Sequence, residues 1–259
     1  MGGNTKNQNE NMAQNEAIRW VTAPLSLDKL RITGGHENAA NELVPIIRQA
    51  LKTNEKVIFA VGGESGTGKS EVAYLVGEAL NKQGISTVAW SFDNAYITPH
   101  AIREEKRAED YEKNVGAIEM NKPLIEEVIF CFEQEKPVTV PVITINGDGS
   151  RPVKEITLEM AGKKVLIFDG LYAALIGQVK NNGSKTARVI AMSEKKYNMA
   201  AQKERGKEKV NEHRLKVLER ECLAVRSLWP YVTHKISEAW EVSAYTHNRQ
   251  SMNAFVICE

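Results

Sequence analysis

Apolar positions along the chain alternate between short dense runs and helical spacing. Val57-Ile58-Phe59-Ala60-Val61 and Val165-Leu166-Ile167-Phe168 are continuous apolar runs bounded by polar residues, the pattern of strands buried on both faces. Thr87-Val88-Ala89-Trp90-Ser91-Phe92 and Ala187 to Met192 read as two more strands, and Asn253 to Ile257 as a short terminal one. Between them apolar residues recur at helical intervals. Ala39, Leu43, Ile46, Ile47, Ala50 and Leu51 define a helix over Asn38 to Thr53, after a break at Gly34-Gly35. A helix starting at Thr98-Pro99 runs through Glu112 with a charged face. Another starts at Asn121-Lys122-Pro123, carries the stripe Leu124, Ile125, Val128, Ile129 and Phe132, and ends at Pro137. Glu194 to Leu228 reads as helical and highly charged, with Leu218, Cys222, Val225 and Trp229 on one face.

Two stretches depart from this alternation. Val138 to Ile145 and Val153 to Leu158 are β-rich and joined by Asn146-Gly147-Asp148-Gly149-Ser150, where Asn-Gly and Asp-Gly tolerate positive φ. They predict a β-hairpin inserted between helices. Residues 1–16 hold almost nothing to bury and read as a disordered tail. Ile18 to Ile32 carries scattered apolar residues suited to packing on the domain surface. The predicted fold class is α/β: a three-layer sandwich on a mainly parallel, five-stranded sheet, with a β-hairpin insert over 137–160 and a helical lid over 194–228, all within one domain spanning 17–259.

Composition narrows the class. The chain has 259 residues, 42% hydrophobic and 26% charged, ordinary for a globular domain. A net charge of +1 gives no electrostatic argument for nucleic acid or an acidic membrane as partner. Cys131, Cys222 and Cys258 are widely spaced and odd in number, which fits a reducing cytosol better than a disulfide framework. No apolar run approaches the roughly 20 residues that span a bilayer, and no basic-then-apolar leader pattern opens the chain. The expected location is the cytoplasm. The exposed hairpin is a candidate surface for a homo-oligomer.

The chemistry gathers around the turn after the first dense run. Gly63-Glu64-Ser65-Gly66-Thr67-Gly68-Lys69-Ser70 has the spacing of a phosphate-binding loop, and it sits where such a loop belongs, after a strand and before a helix. Glycines let successive N–H groups curl toward an anion, and the following helix aims its positive end at the same place. In that reading Lys69 reaches the β- and γ-phosphates of a nucleotide and the Ser70 hydroxyl ligates Mg²⁺. Aspartate is scarce, and Asp93 and Asp169 both fall at the carboxyl ends of predicted strands, the edge at which ligands bind an open α/β sheet. Asp169 is the candidate for Mg²⁺; the structural alternative is a helix cap. Asp93 is the candidate general base for transfer to a hydroxyl; the alternative is a turn residue.

Tyr96, His100, Arg103 and Arg107 follow Asp93 closely and suit an anionic or polyhydroxyl acceptor, although Arg107 also suits a solvated face with Glu104, Glu105 and Glu109. In the charged helical stretch Arg205, next to Gly206, is the preferred catalytic guanidinium of a closing lid. Arg214 is a further candidate at the acceptor, with Arg220 beside it.

Three ordered pieces, Gly63 to Ser70, Ser91-Phe92-Asp93-Asn94-Ala95-Tyr96 and Ile167-Phe168-Asp169-Gly170-Leu171-Tyr172, followed by Glu204-Arg205-Gly206-Lys207 and Arg214, resemble the uridine kinase and phosphoribulokinase family of small-molecule kinases over roughly residues 56–240. The resemblance implies ATP, Mg²⁺, an acceptor-side base at Asp93 and transfer of the γ-phosphate to a hydroxyl of a small metabolite: a nucleoside, sugar, sugar phosphate or hydroxy acid. Two positions depart from the uridine kinase pattern. Pro141 to Gly147 holds none of the His and Arg those enzymes carry in the insert, and Asp169 stands where Glu is common. The alternative function is a nucleotide-dependent regulatory ATPase or switch acting on a protein partner. A guanine-nucleotide switch fits less well, because Asn121-Lys122-Pro123-Leu124 lacks the terminal Asp of a guanine-reading motif.

Overall fold

The computed structural model describes residues 18–23, 29–144, 152–180, 185–197 and 211–246. Strands β1 (Arg19–Thr22) and β2 (Lys29–Ile32) form a small antiparallel pair, with Leu30 and Ile32 buried against the domain. Helix α1 (Gly34–Leu51) begins earlier than its apolar spacing predicts. The Thr33 N–H donates to His36 Nδ1 at 3.0 Å and the Glu37 N–H to the Thr33 carbonyl at 3.2 Å, so donors at the start of the helix are satisfied. Gly34-Gly35 is therefore the first turn of a helix and not a break. The Trp240 ring lies 2.2 Å from where a Cβ on residue 35 would sit, so residue 35 is small because a side chain crosses it.

The sheet is built on β3 (Lys56–Gly62), buried along its whole length. Parallel to it on one side is β7 (Val165–Asp169), then β4 (Thr87–Ser91). On the other side come β8 (Thr186–Ser193), β9 (His234–Ile236) and a short antiparallel β10 (Val242–Ala244), giving the order β10-β9-β8-β3-β7-β4. The mainly parallel sheet has six strands, not the expected five: four of the predicted strands are in place, while the fifth parallel strand is β9 and the antiparallel β10 closes one edge. Strands β9 and β10 have three residues each, too short for periodicity to register.

Side chains of β3 alternate between two cores. Val57, Phe59 and Val61 pack with α1 and α2 (Lys69–Lys82), while Ile58 and Ala60 face the opposite layer. That second layer contains α5 (Lys122–Glu133), whose stripe of Ile125, Val128, Ile129 and Phe132 is buried. It also contains a hairpin of β5 (Val138–Ile143) and β6 (Val153–Leu158), paired antiparallel as predicted, although the joining turn lies outside the described residues. Trp90 Nε1–H donates to the Pro141 carbonyl at 3.0 Å and ties the hairpin to β4. Asn121 caps α5, accepting from the Leu124 N–H at 3.2 Å.

Two predicted helices differ. The helix from Thr98-Pro99 is α3 (His100–Glu109) followed by α4 (Tyr111–Asn114), because Asp110 leaves the helical conformation to accept from the N–H groups of Glu112 and Lys113. The expected helix over 194–228 is α6 (Glu212–Arg226) in the described residues. Glu194 to Tyr197 have no regular structure, 198–210 lie outside the described residues, and Trp229 falls in a separate 3₁₀ turn. The tail 1–16 and the expected strand Asn253 to Ile257 also lie outside them.

Candidate active site

Strand register assembles the site. Asp169 on β7 pairs with Val61 on β3 and with Ser91 on β4, so the loop after β3, the turn after β4 and the end of β7 meet at one sheet edge. The loop begins at Gly63 (φ +141°), and Gly66 and Gly68 also take positive φ. At Gly68 the need for glycine is double: φ is +82°, and a Cβ would stand 2.3 Å from His36 Nε2 and 2.6 Å from the Trp240 ring. Thr67 Oγ1–H and Lys69 Nζ–H both donate to the Glu64 carbonyl, at 2.8 and 2.7 Å, and close the loop on itself.

The loop is also gripped from outside. The Glu64 carboxylate accepts from Arg226 Nε and Nη2 at 3.0 and 2.9 Å and from the Tyr197 N–H at 2.7 Å. Burial alone would raise its pKa; the Cys222 thiol, the Tyr197 amide and the Arg226 guanidinium outweigh that and hold it below the usual carboxylate value. The Cys222 thiol is pushed up to about 12, first by burial and then by Glu64. Arg226 did not stand out in the sequence. The one available signal was its place one turn after Cys222, on a face that already read as inward.

Ser70 Oγ–H donates to Asp169 Oδ2 at 2.5 Å. Burial raises the Asp169 pKa, the Ser70 hydrogen bond works against that, and the nearby Asp93 charge adds to the rise. Asp169 is thus no helix cap; it is an oxygen donor facing another oxygen donor. Asp93 is exposed, and its carboxylate makes no hydrogen bond or ion pair with any described residue. The 3₁₀ turn Phe92–Asn94 is capped by Ser91, whose Oγ accepts from the Asp93 N–H at 3.3 Å. Gly170 (φ +144°) lets β7 pass this turn, since a Cβ there would meet Phe92 Cβ at 2.7 Å.

A cavity of about 540 Å³ opens from the loop and is walled by Lys69, Ser70, Asp93, Asp169 and the candidate acceptor residues Tyr96, His100, Arg103, Arg107 and Arg214. Arg107 is 2% exposed and committed to three carboxylates. Its Nε and Nη2 meet Glu119 at 2.6 and 2.9 Å, Nη1 meets Glu104 at 3.0 Å, and Nη2 lies 3.3 Å from Glu221. Burial would lower its pKa, but Glu119 and Glu221 carry it above the ordinary value. Arg214 Nη1 is 3.3 Å from both Glu221 oxygens. His213 bridges Tyr111 (2.9 Å) and Glu104 (3.0 Å), linking α3, α4 and α6. The solvated face allowed for Arg107 is therefore a buried ion cluster. Glu119 and Glu221 gave no sign of this in the sequence, because their partner lies on another element. Arg205 falls outside the described residues.

Among the described residues no group of three or more His, Cys, Asp or Glu side chains is placed to hold a metal. Ser70 and Asp169 offer two hard oxygen donors beside a phosphate cradle, which is the donor set Mg²⁺ takes when it arrives with a nucleotide and keeps waters and phosphate oxygens as its other ligands. The residues present fit that ion, and the glycine loop fits a polyphosphate.

A glycine loop between β3 and α2, beside acidic strand ends on a parallel sheet, defines a phosphate-binding-loop protein. Residues 58–184 match the model of the phosphoribulokinase / uridine kinase family, and over that span the chain is similar to those P-loop kinases. Solved structures agree in fold. The "YGR205w protein" is 12% identical, with a TM-score of 0.56 over 81% of this chain and 96% of that one. The D-glycerate 3-kinase of Cryptococcus neoformans is 11% identical, with a TM-score of 0.52 over 81% and 99%. A curated relative, the tRNA 2-selenouridine synthase of Azotobacter vinelandii, is 38% identical over 66 residues, a segment that covers 26% of this chain and 17% of that protein's length. No described helix is long and apolar enough to cross a membrane.

Proposed function

We propose that this protein is an ATP-dependent kinase that transfers the γ-phosphate to a hydroxyl group of a small metabolite, with Asp93 as general base. One observation carries the reading: Asp93 stands at the mouth of the same cavity as Lys69, Ser70 and Asp169, exposed and with its carboxylate uncommitted among the described residues. A carboxylate held for a turn or cap would be bonded to local N–H groups; this one makes no such bond among the described residues.

The chain's residues then divide the work. N–H groups of Gly63 to Ser70 hold the phosphates, and Lys69 Nζ exchanges its bond to the Glu64 carbonyl for the β- and γ-phosphate oxygens. Ser70 and Asp169 are the side chains that would hold Mg²⁺, which when bound neutralises charge on the phosphate oxygens. Asp93 takes the hydroxyl proton as the acceptor oxygen bonds to phosphorus and the bond to the β-phosphate oxygen breaks, releasing ADP. Arg205, from its place in the sequence, is proposed to stabilise the transferring group as the lid closes.

The test is an ADP-release assay with Mg-ATP against a panel of nucleosides, sugars, sugar phosphates, polyols and hydroxy acids. Acceptor-dependent release that disappears in Asp93→Asn supports the reading. Release that depends on an added protein and on no small molecule overturns it in favour of a nucleotide-gated switch.

A further inference from the structure

An arginine guanidinium stays charged at any working pH, so burying one calls for a counter-charge or a full set of acceptors. Three arginines wall the cavity, and two have their counter-charge in hand. Arg107 meets Glu104, Glu119 and Glu221; Arg214 meets Glu221. Arg103 differs. It is 7% exposed, yet no carboxylate of a described residue lies within 4.0 Å of it. Its polar contacts are long, 3.5 Å from Nη1 to the Thr98 carbonyl and 3.4 Å between Nη2 and His100 Nδ1, and its Nε is buried with no partner. An aromatic ring lies beside it: the guanidinium carbon is 3.6 Å from the Tyr96 centroid. The ring offsets part of its desolvation, but Nε is left without an acceptor and both Nη atoms have only those long contacts.

We propose that Arg103 binds an anionic group, a carboxylate or a phosphate, on the acceptor. The proposal rests on the kinase reading above and narrows its acceptor class to hydroxy acids and sugar phosphates. The nucleotide is not the source of this anion. Its phosphates have their own cradle at Gly63 to Ser70, whereas Arg103 lies on α3 and stacks on Tyr96, a residue close enough to Asp93 to feel its charge. That is the side on which the acceptor hydroxyl must lie. Guanidinium geometry favours the same conclusion, since its planar fork presents parallel donors that match two oxygens of one carboxylate or phosphate.

Matched pairs test it: glycerate against glycerol and ribose 5-phosphate against ribose, with the wider panel of hydroxy acids and sugar phosphates and their neutral counterparts. Each compound is scored by ADP release with Mg-ATP, and by the shift in melting temperature with Mg-ADP saturating the loop so that its phosphate cradle is filled. The proposal expects anionic members to bind and be turned over, and their neutral counterparts not. Arg103→Gln should raise KM for the anionic acceptor by about 10- to 100-fold with a smaller effect on kcat, and Arg103→Lys, which keeps the charge, should recover part of the loss. Neutral acceptors served as well as anionic ones, an Arg103→Gln protein that still discriminates, or no melting shift with any anion would overturn it. Failure of the kinase reading looks different. Neutral-acceptor turnover abolished by Asp93→Asn leaves the kinase standing without the anion site. Anion binding lost in Arg103→Gln, with no turnover of any compound, leaves the anion site standing without the kinase.

Discussion

Ser70 and Asp169 are 99 residues apart in sequence and 2.5 Å apart in space, hydroxyl to carboxylate, at the junction of the phosphate loop with the end of β7. Burial makes this carboxylate reluctant to ionise, with Asp93 nearby reinforcing the effect.

That arrangement predicts a trade of stability against activity in Asp169→Asn. A carboxyl whose folded pKa lies above its ordinary 3.8 stabilises the folded protein fully below that value, and the contribution is lost as pH rises through the folded pKa. At neutral pH the ionised group therefore costs stability, and the isosteric amide, which can still accept from Ser70, removes the cost. The nucleotide-free variant should melt higher than the parent at pH 7, with the gain vanishing in acid below about pH 4. Turnover should fall by at least about 10²-fold. Melting curves across pH, alongside ADP release, check both halves; a variant that melts lower at pH 7 contradicts the account.

Asp93→Asn should separate binding from chemistry. The Asp93 carboxylate has no hydrogen bond or ion pair with a described residue, the phosphate loop included, so ATP affinity should stay within a few-fold of the parent while the rate falls by roughly 10²–10⁴. Calorimetric titration with ATP and steady-state kinetics read the two effects apart. Equal activity in the variant removes Asp93 from the base role.

The grip of Arg226 on Glu64 predicts that α6 sets the shape of the loop. Arg226→Ala should weaken nucleotide binding and lower stability by about 1–2 kcal/mol, the lower part of the range for a charged hydrogen bond, since the Arg226 side chain is 43% exposed and solvent screens it. The pH dependence follows from the depressed Glu64 pKa. Stability from such a group is present above its ordinary 4.5 and is lost as pH falls through the folded value. The gap between parent and variant should therefore shrink below about pH 4.5. A gap that is constant with pH in denaturant melts places the effect elsewhere.

Gly170→Ala tests whether the turn bearing Asp93 depends on close passage of β7. Residue 170 sits at φ +144°, and the added methyl would meet Phe92 Cβ at 2.7 Å, with Asp93 Oδ1 next at 3.6 Å. A cost of about 1–3 kcal/mol is expected for the backbone strain, together with a loss of rate larger than the loss of ATP affinity. Rate and affinity falling in step would mean that the loop, and not Asp93, has moved.

What was legible in the sequence was local. The order of strand, glycine turn and helix around Gly63 to Ser70 is written in neighbouring residues. Asp93 and Asp169 follow apolar runs that announce buried strands, and Asn146-Gly147 with Asp148-Gly149 announces a hairpin. The register that sets Asp169 beside both Val61 and Ser91 is a long-range property, although the carboxyl-edge rule anticipated its consequence. Pairings between elements were not legible. Arg107 with Glu119 and Glu221, or Glu64 with Arg226, join residues whose sequence neighbours are ordinary surface charges. Gly34-Gly35 misled because a glycine pair usually punctuates, and only the Trp240 ring crossing residue 35 explains glycine inside a helix.

The measurement that bears most directly on the central claim is ³¹P NMR of Mg-ATP incubated with the protein and the acceptor panel, parent against Asp93→Asn. The account predicts a new phosphate-ester resonance growing in step with ADP in the parent and absent from Asp93→Asn, with ATP still bound. Inorganic phosphate as the sole product, or an ester formed equally by both proteins, would contradict it.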